Sequence, residues 1–435
     1  MEKSTPTPNH RIGVRYFPDT IHFRESDLGI WLPELTSLGT KWIVLETPID
    51  RAIPESFLCG LIKAGIQPIL QMRLPLNGTA IRADLTTLLQ VYASWGLKYL
   101  CPIDQPNTLQ AWGDGSWVQQ KLVSRFLDRF IPIAEQISQA GLQPVFPALA
   151  PGGNFWDTVF LRSSLQGIKD RGHTRLLESM VIGAYAWPGN HPLDWGKGGP
   201  QAWPHVHPYD TPENQQDHLG FRIFDWYSQI SEKVIGKPPQ IILLGTGAQM
   251  NADTTPEDHA AVNIEIAAQL GDYKIIPQNV LAACFSILAA ESDHPLSNQA
   301  WYPPGKDQQP IVAQFKEKYS PVTIDTPELA PDEQTHIEIP ETTLQQKPIK
   351  HYLLLPHPRW GNPDWFLKAT RSFVKKYAPT TGYSIREAFF ARRVTIIGGV
   401  QVFPENLRAE LEKQGSEVLQ ITGSGTEIAT QLAEL

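Results

Sequence analysis

Four segments of the chain repeat one arrangement of polar and apolar positions: a helical stretch, a Gly, one to three residues, then a short apolar run. ELTSLG leads to KWIVLE, LIKAG to IQPILQM, VYASWG to LKYLC and QISQAG to LQPVFPAL. Gly closes a helix well because, lacking a Cβ, it enters the left-handed conformation freely. The apolar runs are rich in β-formers and lack strict alternation, as strands buried on both faces do. With the remaining runs of this kind the predicted strands are Ile12–Phe17, Lys41–Thr47, Gln67–Leu74, Lys98–Asp104, Gln143–Ala150, Met180–Trp187, Gln240–Gly247 and Val280–Ala289. Helical patterns fill the intervals, among them Val118–Ala140 and Pro256–Leu270.

Eight alternating units predict the α/β class and a closed (β/α)8 TIM barrel over residues 1–320. An open doubly wound sheet is the competing arrangement, but FPDTIHF follows the first strand where a Gly-rich phosphate loop would stand. Residues 321–346 read as an acidic, Pro- and Thr-rich linker with at most one edge strand, Thr335–Ile339. In residues 347–435 the runs HYLLLP, VTIIGG and EVLQITG read as strands. Asp364–Tyr377, Ile385–Arg393, Pro404–Gln414 and Glu427–Leu435 read as helices. That alternation predicts a small C-terminal α/β domain with a parallel sheet.

Composition narrows the class of partner. Hydrophobic residues at 41% and charged residues at 19% are the balance of a soluble globular chain. A net charge of −8 argues against nucleic acid as partner. The charge is uneven: Lys347 to Leu435 holds 12 basic and 8 acidic residues, net +4, so the remainder carries −12. The basic side chains Lys375, Lys376, Arg392 and Arg393 suit an anionic surface or a protein partner, and equally an ordinary solvated helix face. Cys59, Cys101 and Cys284 are far apart in apolar surroundings and read as buried free thiols. No apolar stretch follows the first Lys as in an export signal, and no run approaches the ~18 apolar residues of a membrane span. The compartment stays open.

Barrels of this type carry their chemistry at the C-terminal ends of the strands. Those ends supply Arg15, Glu46, Arg73, Asp104, Gln105, Asn107, Tyr185, Trp187, Thr246, Gln249, Glu291 and, further on, Trp301. Between strands six and seven a long insertion adds Trp195, Trp203 and Tyr209. Indole faces beside amides and carboxylates suit sugars, whose C–H faces stack while hydroxyls take the polar groups. The same aromatic residues could instead pin the insertion to the barrel. HVHPYD offers His205, His207 and Asp210, but the spacing is loose and no second ligand cluster is visible, so neither metal nor cofactor is expected.

In the order of these strand ends the barrel resembles the clan of retaining glycoside hydrolases with Asn-Glu-Pro after strand four and a second Glu ending strand seven. The resemblance spans about 320 residues in layout. It implies an acid/base position at Gln105, within Asp104-Gln105-Pro106-Asn107, and a nucleophile position at Thr246 or neighbouring Gly245 or Gly247. Tyr185 matches the clan's residue that contacts the nucleophile. An amide cannot protonate a leaving oxygen and a Thr hydroxyl without a base is a poor nucleophile, yet both hydrogen-bond sugars well. The expectation is a carbohydrate-binding protein that does not hydrolyse its ligand. The alternatives are a glycosidase using displaced carboxylates such as Glu46, Asp104 or Glu291, and an interaction scaffold with a vestigial cleft. The C-terminal domain is similar to one type 2 cell-wall-binding repeat, through Gly398, Gly399, Ile421, Gly423 and Thr426 to Ala429; Ser424 and Gly425 stand where that repeat has Arg-Tyr. This implies a cell-wall glycan or anionic polymer as partner.

Overall fold

The structure is a computed structural model that describes residues 10–49, 51–77, 85–113, 116–250, 254–320, 347, 349–355, 370–371, 373–382, 385–398, 403, 406–422 and 425–433. Eight parallel strands close into a barrel: β1 (Ile12–Arg15), β2 (Trp42–Glu46), β3 (Gln67–Gln71), β4 (Tyr99–Cys101), β5 (Gln143–Phe146), β6 (Val181–Ala186), β7 (Ile241–Thr246) and β8 (Val280–Phe285). Closure is made by β1 on β8, where Ile12 faces Ala283 and Val14 faces Phe285. Gly39, Gly65, Gly96 and Gly141, which end the helices of the four repeated segments, all have positive φ.

Alternation within each strand sorts the side chains into two layers. Val44, Ile69, Cys101, Val145, Val181, Ile242, Leu244 and Cys284 fill the barrel itself. Their neighbours, such as Ile43, Leu45, Leu70, Phe146 and Leu243, face the surrounding helices. Cys101 and Cys284 are buried free thiols, each pushed up to about 12 by burial, whereas Cys59 is half-buried. No helix among the described residues is long and apolar enough to cross a membrane.

The helix Pro256–Leu270 shows how local sequence sets an element. Thr255 caps it by accepting from the Asp258 N–H at 3.1 Å, Pro256 opens the first turn, and Glu257 and Asp258 oppose the positive helix end. Its inner face buries His259, whose pKa burial lowers to about 4, against a raising contribution from the Ala248 backbone. An unfolded chain protonates this ring near 6.5 and the folded one only near 4. Between those values the unfolded state binds more protons, so stability falls as pH falls. The shift is worth on the order of 3 kcal/mol. Urea unfolding at pH 7 and pH 4.5 should show that loss in the wild type and a smaller one in His259→Met.

The chain divides into two compact units, Met1–Thr323 and Ile324–Leu435. In the second, four parallel strands run in the order β10-β9-β11-β12: β9 (Ile349–Leu354), β10 (Thr380–Gly382), β11 (Ala391–Ile397) and β12 (Glu417–Ile421). Leu407 and Leu411 of the helix Leu407–Lys413 cover one face, and Ile428 and Leu432 of the helix Gly425–Ala433 the other. The segment Ile385–Arg393, expected as one helix, is helical only over Ile385–Ala388. From Ala391 it pairs with β9, Arg393 opposite His351, because a central strand needs that backbone for its ladder. β10 had no counterpart among the expected strands. Thr335–Ile339, Gly399 and Gly423 lie outside the described residues.

Candidate carbohydrate site at the barrel mouth

The uppermost inward position of several strands is polar, and the polar groups satisfy one another. Arg15 ends β1 pointing into the barrel, where its guanidinium donates to Gln71 Oε1 at 2.9 Å, to the Leu244 carbonyl at 3.0 Å and to Glu46 Oε1 at 3.3 Å. Arg73 donates to the same Glu46 oxygen from the outside at 2.7 Å. Gln71 Nε2 donates to the Tyr185 hydroxyl at 3.0 Å, which donates to Asp104 Oδ1 at 2.8 Å. The result is one chain of donors and acceptors from Arg73 to Asp104 across five strands. Burial works against the charge on Arg15, and the surrounding oxygens of Tyr185, Glu46 and Asp104 outweigh it, holding the guanidinium above its ordinary pKa. Burial, and next the Asp104 carboxylate, push the Tyr185 phenol far above its usual range, so its proton stays on as a donor.

Trp187 lies half-buried over this layer, its ring stacked on Tyr185 at 5.8 Å and 11°. The two rings explain Gly245. A Cβ there would sit 2.6 Å from Trp187 Cη2 and 2.8 Å from Tyr185 Cδ1. Gly247 is closed as well: φ is 102° and a Cβ would meet Asn263 Oδ1 at 2.2 Å. Thr246 is buried and its hydroxyl donates to the Ala186 carbonyl at 2.9 Å. Gln105 sits in the left-handed region, with φ 43°, as the loop after β4 turns outward. Its side chain, with Arg73, Asp104 and Gln110, lines a cleft of about 240 Å³ between the loops after β3 and β4.

Arg15, Glu46, Arg73, Asp104, Gln105, Tyr185 and Trp187 therefore come together, and Gln249 stands on the rim after β7. Other expected site residues have different work. Asn107 is fully buried and spends its amide on the Ala150 N–H and the Ala150 and Phe155 carbonyls, bracing the loop after β5. Trp301, 1% exposed, packs between Phe285 and Phe315 below the mouth. Neither is offered to a ligand, because proximity to a strand end does not fix the direction of a side chain. Trp195 is stacked on His191 at 4.1 Å and backed by Gly220, with its N–H given to Asp217; Trp203 gives its N–H to the Lys197 carbonyl. Both spend their N–H groups within the insertion and hold its own turns together. His207 and Asp210 exchange backbone hydrogen bonds at 3.0 Å in a tight turn, and among the described residues no group of three His, Cys, Asp or Glu converges as metal ligands do.

One functional-looking cluster was not anticipated. His22, stacked on Phe17 at 3.9 Å, lies 2.9 Å from Asp19 through Nδ1 and 2.8 Å from Glu291 through Nε2. It ties the loop after β1 to the loop after β8. Only Asp19, three residues before His22, gave a local signal; Glu291 is 269 positions away. Glu291 thus stands on the rim, its side chain 54% exposed, rather than in the polar layer.

No family model matches the chain, and no curated protein matches it. Solved structures are similar at low identity. Xylanase 10B of Thermotoga petrophila RKU-1, in complex with xylobiose, is 10% identical over 72% of this chain and 95% of its own, with a TM-score of 0.43. An L-ribulose 3-epimerase is 17% identical over 71% of this chain and 91% of its own, TM-score 0.39. β-Glucuronidase 2 of Bacteroides uniformis is 9% identical over 65% of this chain, TM-score 0.40, and the chain spans only 31% of that enzyme's length.

Proposed function

We propose that the barrel mouth holds a carbohydrate and does not cleave it by double displacement. One observation carries this reading: the end of β7 presents no carboxylate and no free hydroxyl. Gly245 is roofed by Trp187, Thr246 has its hydroxyl committed to Ala186, and Gly247 abuts Asn263. Double displacement needs two carboxyl groups about 5 Å apart, one attacking and one protonating. Across the cleft Gln105 offers an amide, which binds hydroxyls and carries no transferable proton. Glu46 is held between two guanidinium groups, which take up its Oε1 and fix the carboxylate in place as an acceptor. What remains is recognition: Trp187 as a stacking face, with Arg73, Asp104 and Gln105 as hydroxyl partners. The C-terminal unit, through exposed Lys375, Lys376 and Arg392, is proposed to tether the barrel to an anionic polymer or a protein; Arg393 is taken up by Glu417 at 2.9 Å.

Calorimetric titration of the full chain with cello-, xylo-, manno- and chitosan disaccharides tests this. At least one should bind, and Trp187→Ala should weaken it about tenfold, ~1.4 kcal/mol, when measured at a temperature where the variant is still folded, since loss of the ring packed on Tyr185 also lowers the unfolding midpoint. Binding that survives Trp187→Ala, or no binding by any of them, overturns the reading.

A further inference from the structure

A second cleft lies beside the mouth. It encloses about 690 Å³, within the ~300–1,000 Å³ that small-molecule sites span. One wall is residues 188–194 of the insertion, which begins immediately after Trp187. The opposite wall is a single face of the helix Pro256–Leu270, where Asp258, Val262, Glu265 and Gln269 recur at the spacing of helical turns. Ala248 and Gln249 line it where β7 leaves the barrel, so the groove is continuous in sequence with the mouth at two strand ends.

Its chemistry is mixed in the manner a sugar chain needs. Leu193 and Val262, both half-buried, supply apolar surface for C–H faces. Asn190, Gln249 and Gln269 present amides that both donate to and accept from hydroxyls. Asp194, Asp258 and Glu265 add acceptors, and no Lys or Arg is among the described lining residues. A uronate, sulfate or phosphate here would face three carboxylates, with the His191 imidazole, stacked on Trp195, as the one described lining side chain able to carry a positive charge.

We infer that this groove is an extension subsite for an oligosaccharide that is neutral or bears amino groups, running from the mouth past the C-terminal end of β7. The inference rests on the mouth being a carbohydrate site and adds two properties: dependence on chain length and exclusion of anionic glycans.

The experiment compares di- and hexasaccharides of the cello, xylo, manno and chitosan series, and hexagalacturonate, on the full chain. In the wild type a hexasaccharide binds about tenfold or more tightly than its disaccharide, and hexagalacturonate binds no better than the disaccharide. Val262→Arg, which projects into the groove, removes the length-dependent gain and leaves disaccharide affinity unchanged; Gln269→Ala, about two turns along the same face, reduces the gain. A hexasaccharide no tighter than the disaccharide, a gain that survives both variants, or tight hexagalacturonate binding overturns the groove while disaccharide binding still supports the mouth. Disaccharide binding indifferent to Trp187→Ala, or absent, overturns the mouth and the groove together.

Discussion

Arg15→Leu should lower the stability of the barrel by about 3–5 kcal/mol and abolish sugar binding with it. The leucine fits the apolar layer beneath, beside Val44 and Cys284, so the loss comes from what the guanidinium leaves behind. The Gln71 carbonyl oxygen and the Leu244 carbonyl lose their donor, and Glu46 keeps only Arg73, whose side chain is 60% exposed and therefore screened. Arg15→Lys should restore little, because a single ammonium cannot reach Gln71, Leu244 and Glu46 together as the planar fork does. Arg15→Leu combined with Glu46→Leu should recover part of the stability, since the stranded carboxylate goes too. Urea unfolding of the four proteins checks this. A single Arg15→Leu loss under about 1 kcal/mol would mean the polar layer is solvated rather than closed.

Asp157→Ala should cost a similar amount, about 3–5 kcal/mol, by a different route. Asp157 is 0% exposed and opens the helix Asp157–Asp170, where the positive end of the helix favours its charge. It accepts from the Gly152 N–H at 3.0 Å, from His218 Nε2 at 2.7 Å and from the Tyr227 hydroxyl at 2.7 Å. Those donors come from the loop after β5, from the end of the long insertion and from the helix Ile223–Ile235. One carboxylate therefore fastens three elements, and alanine leaves three buried donors without acceptors. Burial, then Asp157, push the Tyr227 phenol well above its usual range, so no deprotonation relieves the pair. Limited proteolysis should cut the variant between residues 188 and 222 under conditions that leave the wild type whole. Asp157→Asn, which keeps an acceptor for Gly152 and His218, should lose less than half as much; equal losses would point to charge rather than hydrogen bonding.

The barrel was legible because all eight strands are apolar runs and four of them follow a helix-closing glycine, a signal local enough to survive without any long-range information. β11 was misplaced at its start because REAFFARR has the spacing of a helix as well as of a strand edge, and only pairing with β9 chooses between them. Residue types at the mouth were also legible: Arg15, Glu46, Arg73, Asp104, Gln105, Tyr185 and Trp187 converge. Direction was not. Asn107 and Trp301 carry the right chemistry and turn away from the mouth, and the indole of Trp195 is consumed by His191 and Gly220. The Asp157–His218 and His22–Glu291 contacts join positions far apart in the chain, where no periodicity links them.

Product analysis of the wild-type chain, incubated for days with the oligosaccharides it binds, separates recognition from hydrolysis. Every bound oligosaccharide should be recovered at its original length. Shorter products formed by the wild type and lost in Asp104→Asn would contradict it, placing a working carboxylate where only a hydroxyl partner is expected.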